Sequence, residues 1–208
     1  MFAKDRQEQA THAMRTLVVA PRFVARTGDY YEFPLGLCYV SACLKRDGFE
    51  VECLNLNHTD ESPDEAVRRA VRALDIDVVM SGGLSAHYWA VRQVFDAARQ
   101  ARPDVLCVAG GGLVSSEPGL MLDALGLTAG VIGEGELTSV DLMTCLTQGG
   151  DLSTVPGLVF RDSAGAARRS PERPLLPDLD MAPFPDYEGF GVGTYLDLQR
   201  PGDNYYVY

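Results

Sequence analysis

The chain has 208 residues, of which 46% are hydrophobic, and its formal net charge is −11 at pH 7. This length suits one α/β domain with an appendage, and the hydrophobic content is sufficient for a packed core. The acidic balance argues against a general nucleic-acid surface, because binding to phosphates requires a basic face.

The apolar pattern predicts five strands that alternate with five helices. The predicted strands are Thr16–Ala20, Phe49–Asn55, Asp77–Ser81, Val105–Ala109 and Ala129–Ile132. The predicted helices run from Pro34 to Gly48, from Ser62 through Leu74, and over His87–Ala101, Pro118–Leu125 and Glu136–Leu146. This α/β alternation predicts a doubly wound five-stranded parallel sheet with strand order 2-1-3-4-5. A ligand crevice is then expected between the first and third strands.

The ends of the chain lie outside this predicted domain of residues 16–150. Residues 1–15 are polar and predict a flexible arm, in which His12 is expected to be solvated. Beyond residue 150, a hairpin is predicted from Leu158–Phe160 and Arg168–Ser170, followed by an extended strap over Arg173–Tyr187. The last residues, Tyr205–Tyr208, form an apolar β-like run, so residues 151–208 are interpreted as a hairpin and linker toward a missing domain.

No secretory signal and no apolar run of membrane-spanning length occur in the sequence, so no membrane partner is expected and a cytoplasmic location is predicted. The five cysteines are expected to be reduced and to fill the core. They are Cys38, Cys43, Cys53, Cys107 and Cys145. Their spacing does not match a zinc site, and no metal-ligating residue is predicted.

Three loops with glycine follow apolar runs, at Ser81–Ser85, Gly110–Gly112 and Gly133–Glu136. Glycine allows a large ligand to approach the backbone, and these loops lie at the carboxyl ends of predicted parallel strands. The long connection Pro21–Phe33 flanks the same edge, and connections of this length are often functional. The pattern therefore predicts a bulky ligand above the sheet.

Several common chemistries are not supported by the residues. The first strand is followed by Ala20-Pro21 rather than a dinucleotide-binding glycine motif, and no phosphate-binding loop or nucleophile motif is present. Glu134 and Glu136 are interpreted as helix-start residues rather than an acid/base pair. No catalytic residue is predicted. His58 is expected to be solvated, His87 to cap a helix or to face solvent, and Trp89 to pack under a loop.

Six fragments, in this order and spacing, resemble the cobalamin-binding domain that precedes the catalytic barrel of cobalamin-dependent radical S-adenosylmethionine enzymes. They are Phe33–Leu37, Val79–Ser85, Val108–Ser115, Val131–Glu136, Pro156–Asp162 and Pro183–Tyr187. The resemblance implies that a nucleotide tail of cobalamin lies between the sheet and the helices. Small residues at Gly82, Gly83, Ser85, Gly110 and Gly112 would make room for it.

The resemblance also implies which residues contact the cofactor. They are Tyr31, Phe33, Pro34, Gly36, Ser81, Gly82, Gly83, Leu84, Ser85, Gly110, Gly111, Gly112, Ser115, Ile132, Gly133, Glu134, Gly135 and Glu136. The Pro21–Gly36 loop would face cobalt, and it contains no histidine. The implied state is therefore base-off cobalamin without a histidine ligand, with Tyr30, Tyr31 or Phe33 as candidates to cover the lower face.

The family's Cys-x-x-x-Cys-x-x-Cys motif for an iron–sulfur cluster is absent from this sequence. This chain alone is therefore expected to be non-catalytic. The full protein would also use a [4Fe-4S] cluster and S-adenosylmethionine, held by a C-terminal radical domain, for methyl transfer or a radical rearrangement. Two alternatives remain: a stand-alone cobalamin carrier or sensor, and a flavodoxin-like protein that binds flavin mononucleotide. Replacing Gly111 or Gly112 with leucine is expected to abolish corrinoid binding without unfolding the chain.

Overall fold

The computed structural model describes residues 14–198. The strands are β1 Arg15–Ala20, β2 Glu50–Asn55, β3 Val78–Gly82, β4 Leu106–Gly110, β5 Ala129–Val131, β6 Leu158–Arg161 and β7 Ala167–Arg169. The helices are α1 Leu35–Arg46, α2 Pro63–Ala73, α3 Tyr88–Ala101, α4 Gly112–Ser116, α5 Pro118–Ala124, α6 Glu136–Gln148 and α7 Val192–Leu198. The first thirteen residues of the predicted arm, with His12, and the Tyr205–Tyr208 run lie outside the described residues.

The strands form a single sheet in the order β2-β1-β3-β4-β5-β6-β7. The predicted order of the first five strands is confirmed, and these strands are parallel. The prediction of a five-stranded sheet is wrong, because the predicted hairpin pairs with the edge of β5. Val131 lies opposite Leu158, and β6 and β7 run antiparallel. The hairpin thereby covers an edge that would otherwise expose unpaired backbone groups.

Helices cover both faces of the sheet, as the alternating pattern predicts. On one face α2, α3, α4 and α5 bury a cluster that includes Val71, Phe95 and Leu122. On the other face α1 and α6 bury a second cluster that includes Leu44 and Leu142. The carboxyl ends of β3, β4 and β5 open toward the second face, so this face borders the site described below.

No helical period predicted α7, which is only seven residues long. The segment is fixed mainly by two aromatic residues, since Phe190 and Tyr195 are both 1% exposed. Tyr195 donates a hydrogen bond from its hydroxyl to the carbonyl oxygen of Tyr31 at 3.2 Å. The part of the chain after the strap therefore packs back on the domain.

The predicted strap crosses α1 in an extended conformation, interrupted by one turn at Leu179–Met181. Asp186 anchors it, because its Oδ2 atom accepts hydrogen bonds of 2.6 Å from both Ser41 and Lys45. The backbone N–H of Asp186 also donates to the Cys38 carbonyl at 3.1 Å. The strap is thus attached to α1 by an ion pair and by backbone bonding.

Four of the five cysteines are buried, as predicted, and Cys53 is half-buried. The expectation for Trp89 is wrong, because its side chain is 73% exposed. Trp89 lies in the first turn of α3, with the Arg92 guanidinium 5.7 Å from its ring centroid. Within residues 14–198, none of the helices combines the length and apolarity that a membrane crossing requires.

Candidate cofactor-binding site

A cavity of about 650 Å³ opens at the carboxyl edge of the sheet. Its volume lies within the range of roughly 300–1,000 Å³ that is usual for small-molecule sites. The floor is formed by the ends of β3, β4 and β5, and α1 and α6 form one wall. The loop between β1 and α1 and the three glycine loops complete the rim. The loops that flank the predicted crevice both line this cavity, but its floor lies at β3, β4 and β5 and not between β1 and β3, where the crevice was expected.

Most residues assigned from the resemblance meet at this cavity. They are Tyr31, Phe33, Pro34, Gly36, Ser81, Gly82, Gly83, Leu84, Gly110, Gly111, Gly112, Gly133, Glu134, Gly135 and Glu136. Ser85, Ser115 and Ile132 are not part of its lining. Ser115 instead accepts a hydrogen bond from the Gly133 N–H at 3.0 Å, which ties α4 to the third glycine loop. Ile132 donates its N–H to the Gly157 carbonyl at 2.8 Å.

Part of the cavity lining, most of it apolar, was not predicted from the sequence. The missed residues are Phe23, Glu32, Leu35, Leu37, Val40, Met80, Val108, Ala109, Val131 and Ser139, while Tyr30 and His87 were considered without being assigned. Met80, Val108 and Val131 form the floor and point to the α1 and α6 face. Because such residues have the pattern of ordinary core positions, their spacing could not show that a cavity adjoins them. The presence of apolar residues below a glycine rim suits the flat face of a large ligand.

Three of the glycines have close neighbours within the protein, two of them backbone atoms and one a side chain, which corrects the idea that all of them make room for a ligand. A Cβ atom on Gly82 would lie 2.7 Å from the carbonyl oxygen of Gly110 on the neighbouring strand. A Cβ on Gly111 would lie 2.8 Å from the Gly83 carbonyl oxygen, and Gly111 has a φ of +80°. A Cβ on Gly83 would lie 2.6 Å from His87 Nδ1. These glycines pack two loops against each other.

Gly36 differs from those glycines. It lines the cavity in the first turn of α1, and a Cβ atom there would meet nothing within 4 Å. The helix itself does not require glycine at this position, and glycine lowers helix stability relative to alanine. The open direction of Gly36 is therefore a place where a ligand could lie directly against the helix backbone.

The loop between β1 and α1 is held in place by the segment after β2. The Asn57 side chain accepts a hydrogen bond from the Phe23 N–H at 2.7 Å and donates one to the Pro21 carbonyl at 3.0 Å. Arg22 donates to the carbonyl oxygens of Leu56 and Glu61 at 3.0 and 2.7 Å. Asn57 and Arg22 thus fix the beginning of this loop to the segment after β2.

Tyr31, at the cavity, belongs to a buried hydrogen-bond network. Its hydroxyl lies 2.7 Å from His58 Nε2 and 2.8 Å from Asn55 Nδ2, which donates to it. Burial raises the pKa of Tyr31 well above its ordinary value. Burial also lowers the pKa of His58. The expectation that His58 is solvated is therefore wrong: the ring is half-buried and supports Tyr31 from the turn that follows the edge strand β2.

His87 lines the cavity at the start of α3. Its side chain makes no capping hydrogen bond to α3, unlike the predicted cap, and its Nδ1 atom instead accepts a hydrogen bond from the Leu84 N–H of the loop after β3 at 3.2 Å. The ring also packs on Phe23, with 4.3 Å between the ring centroids. His87 thus holds together two of the loops that form the rim.

Glu134 and Glu136 both lie at the cavity, next to the start of α6. Oε2 of Glu134 accepts a hydrogen bond from the Leu176 N–H at 2.9 Å. Oε2 of Glu136 is buried without a hydrogen-bond partner among the residues described. Within residues 14–198, histidine, cysteine and carboxylate side chains do not gather in threes where a metal ion could bind them. The site therefore offers apolar surface, exposed backbone and carboxylate acceptors.

The comparisons with known proteins agree with this geometry. Residues 21–143 match the B12 binding domain family, which is more than half of the chain. An uncharacterized methyltransferase of Pyrococcus horikoshii is 29% identical over 190 residues, which cover 88% of this chain and 40% of that protein. The cytidylyl-2-hydroxyethylphosphonate methyltransferase of Streptomyces wedmorensis is 24% identical over 212 residues, which cover 84% of this chain and 40% of that protein. This chain thus spans about 40% of either relative.

Two solved structures share the fold. The cobalamin-dependent S-adenosylmethionine radical enzyme OxsB, with aqua-cobalamin and S-adenosylmethionine bound, gives a TM-score of 0.74 at 14% identity, over 90% of this chain and 26% of that one. The radical S-adenosylmethionine methyltransferase TsrM of Kitasatospora setae, with cobalamin and a [4Fe-4S] cluster bound, gives a TM-score of 0.68 at 23% identity. The match covers 82% of this chain and 31% of that one. The chain therefore belongs to the B12-binding domain family, and its cofactor is cobalamin.

Proposed function

We propose that this chain is the cobalamin-binding part of a longer cobalamin-dependent radical S-adenosylmethionine enzyme, and that the whole protein transfers a methyl group. The observation that carries the proposal is the cavity, which lies within the matched residues 21–143 at the edge where the glycine loops meet. Two relatives with the same coverage are named methyltransferases. When bound, cobalamin supplies a cobalt centre that can carry an alkyl group.

The cavity suits the nucleotide tail of cobalamin. Leu37 and Val40 on α1 line the cavity together with its apolar floor, and they would contact the planar aromatic base of the tail. The open backbone at Gly36 allows close approach from the same helix. Backbone N–H groups of the glycine loops can donate to phosphate and amide oxygens. The cavity-lining residues named above from the resemblance are the proposed contacts, together with Ser139 on α6.

The proposed cobalamin is base-off and has no histidine ligand. His87 is the histidine in the cavity lining. Its Nδ1 atom accepts a hydrogen bond, so the proton of the neutral ring lies on Nε2 and that nitrogen has no lone pair for cobalt. His58 directs its Nε2 atom to Tyr31 rather than to the cavity. Tyr30, Tyr31 and Phe33 stay candidates to cover the lower face.

The proposed domain organisation keeps the boundary near residue 150 that the sequence predicts. Residues 16–150 form the cobalamin-binding domain, and residues 151–208 lead toward a radical domain that would hold the [4Fe-4S] cluster and S-adenosylmethionine. The anchoring of the strap by Asp186 supports a connector with a fixed direction. The absence of disulfides among the described cysteines is compatible with a reducing compartment, which we propose is the cytoplasm.

Electron paramagnetic resonance tests the proposed binding mode. The chain would be loaded with hydroxocobalamin and reduced by one electron, and the cobalt spectrum recorded for the wild type and for His87→Ala. We expect a base-off spectrum without nitrogen splitting in both proteins. Nitrogen splitting that disappears in His87→Ala would overturn the proposal of a histidine-free site.

A further inference from the structure

The strap crosses both helices that form one wall of the cavity, α1 and α6. At its start, Arg173 forms an ion pair with Asp141 on α6. The Leu176 N–H donates to Oε2 of Glu134, just before α6, at 2.9 Å. The first part of the strap is therefore fixed to α6 and to the loop in front of it.

The later part of the strap is fixed to α1. Arg46 donates a hydrogen bond to the carbonyl oxygen of Met181 at 2.7 Å. Ser41 and Lys45 both donate to the Asp186 carboxylate at 2.6 Å. None of these five residues lines the cavity. One segment thus joins α1 to α6 from outside the cavity.

The two helices also meet at the cavity itself. A Cβ atom on Gly135, at the start of α6, would lie 3.1 Å from Cγ2 of Val40 on α1, and both residues line the cavity. Gly36 and Leu37, earlier on α1, line it as well. A ligand against this wall and the strap outside it therefore hold the same pair of helices.

The strap is held by a few polar bonds rather than by burial. Within residues 171–189, every residue whose exposure is described is at least partly exposed, and Leu175 and Phe184 are 76% and 92% exposed. A segment with so little buried apolar surface opens locally at a low cost in free energy. A ligand that prefers the closed arrangement can therefore shift the opening equilibrium of the strap.

We propose that attachment of the strap across α1 and α6 strengthens corrinoid binding, and that the bound corrinoid in turn keeps the strap attached. The inference rests on the proposed placement of cobalamin in this cavity. Asp186 and Arg173 are positioning residues, because they act on the ligand through the helices that they hold. The segment that leads toward the rest of the protein is thereby fixed once the cofactor is bound.

Coupling of this kind is reciprocal. The factor by which an attached strap strengthens binding equals the factor by which the ligand lowers the open fraction of the strap. A purely structural role of Asp186 or Arg173 would not make the opening of the strap depend on the ligand. Two measurements on the same protein therefore test the inference independently.

The first measurement is a binding titration with matched variants. Asp186→Asn and Asp141→Asn release the strap at its α1 and α6 ends, and Asp197→Asn, exposed on α7, controls for the change in charge. Hydroxocobalamin would be added to each protein and followed by visible absorption. We expect about fivefold weaker binding to Asp186→Asn and Asp141→Asn, and wild-type affinity in Asp197→Asn.

The second measurement is hydrogen–deuterium exchange of the wild type, with and without saturating hydroxocobalamin. The N–H groups of Leu176 and Asp186 are hydrogen-bonded when the strap is attached, so peptides from residues 174–187 report its opening. We expect their exchange to slow by about the same fivefold factor. Peptides from the edge strand Ala167–Arg169, which does not line the cavity, control for a general stabilisation.

Unchanged affinity in both Asp186→Asn and Asp141→Asn would overturn the inference. Exchange of the strap that does not respond to hydroxocobalamin would also overturn it, even if the variants bind weakly or fail to fold, because the role of the strap would then be structural only. If the wild type itself retained no hydroxocobalamin, the proposed function would fail first, and the inference with it.

Discussion

The hydroxyl of Tyr31 lies 2.7 Å from Nε2 of His58, which fastens the loop at the cavity to the segment that follows the edge strand β2. Asn55 donates to the same hydroxyl and also to the carbonyl of Phe190 at 3.1 Å. One buried network thus joins the cavity loop, the edge of the sheet and the carboxyl-terminal segment. Its contribution to the stability of the fold can be measured by changing the pH or by replacing its side chains.

The stability of the fold is expected to depend on pH through His58. Burial lowers the pKa of His58 below its ordinary value of 6.5, so the unfolded chain binds the proton more readily. The contribution of the neutral ring is complete above pH 6.5 and is lost as the pH falls through the lower folded-state pKa. Urea unfolding between pH 7 and pH 5 should show this loss in the wild type and a flatter profile in His58→Gln. Parallel profiles for the two proteins would contradict the role of His58.

Removing the Tyr31 hydroxyl should destabilise the fold. In Tyr31→Phe the Asn55 amide and the His58 ring lose a buried partner, which costs about 1–2 kcal/mol of unfolding free energy. Tyr39→Phe is the matched control, because the Tyr39 hydroxyl makes no hydrogen bond to the described residues and the side chain is half-buried on α1. Denaturant unfolding measures both variants. Equal stabilities would show that the network contributes little.

Gly36 should separate ligand binding from folding. Alanine at this position improves helix propensity and meets no atom within 4 Å, so Gly36→Ala should fold at least as stably as the wild type. Leucine would extend into the cavity, and Gly36→Leu should lower the affinity for hydroxocobalamin by at least about tenfold. Circular dichroism and binding titrations measure the two effects. Undiminished affinity in Gly36→Leu would place the ligand elsewhere.

Gly111 should behave in the opposite way. Its φ of +80° and the 2.8 Å approach to the Gly83 carbonyl mean that Gly111→Ala strains the backbone, at a cost of about 1–3 kcal/mol. This corrects the expectation that leucine at Gly111 blocks binding while the fold persists. Gly119→Ala in α5 is the control, because a Cβ there meets nothing within 4 Å. Thermal unfolding of the two variants should differ, and indistinguishable midpoints would refute the packing role.

Asp186 should control the strap. Burial raises the pKa of Asp186, but hydrogen bonds from Lys45 and Ser41 outweigh this effect and bring the pKa below its ordinary value. The ionised carboxylate therefore stabilises the fold above about pH 4, and this stabilisation is lost in stronger acid. Asp186→Asn should increase the rate of proteolytic cleavage within Arg173–Tyr187 at pH 7. Asp197→Asn, exposed on α7, is the control. Equal cleavage of both variants would mean that the ion pair does not hold the strap.

The sequence predicted the strands and helices in which apolar residues recur with a clear period. The β-branched runs gave the five parallel strands and their order, because right-handed crossovers leave few arrangements. The hairpin was also predicted, but its pairing with β5 was not, since a short three-residue strand carries no signal for its neighbours. The seven-residue helix α7 was missed because its apolar residues show no clear helical period.

The site was predicted at the correct edge of the sheet, but it lies over β3, β4 and β5 and not between β1 and β3. Glycine spacing identified the loops, but it could not show that Gly82 and Gly111 face other backbone while Gly36 faces open space. His58 was placed in solvent because the sequence does not reveal that Tyr31 folds over the edge strand. Met80 and Val108 were treated as ordinary core residues for the same reason: adjacency across the sheet depends on tertiary packing.

Cofactor retention tests the central claim most directly. The ligand-free chain would be mixed with hydroxocobalamin, freed of unbound corrinoid by gel filtration, and analysed for cobalt and visible absorption. A parallel sample would receive flavin mononucleotide. The account predicts one retained cobalt per protein chain with a corrinoid spectrum, and no retained flavin. It also predicts that Gly36→Leu retains less cobalt than the wild type. Protein that emerges without cobalt, or yellow with flavin, would contradict it.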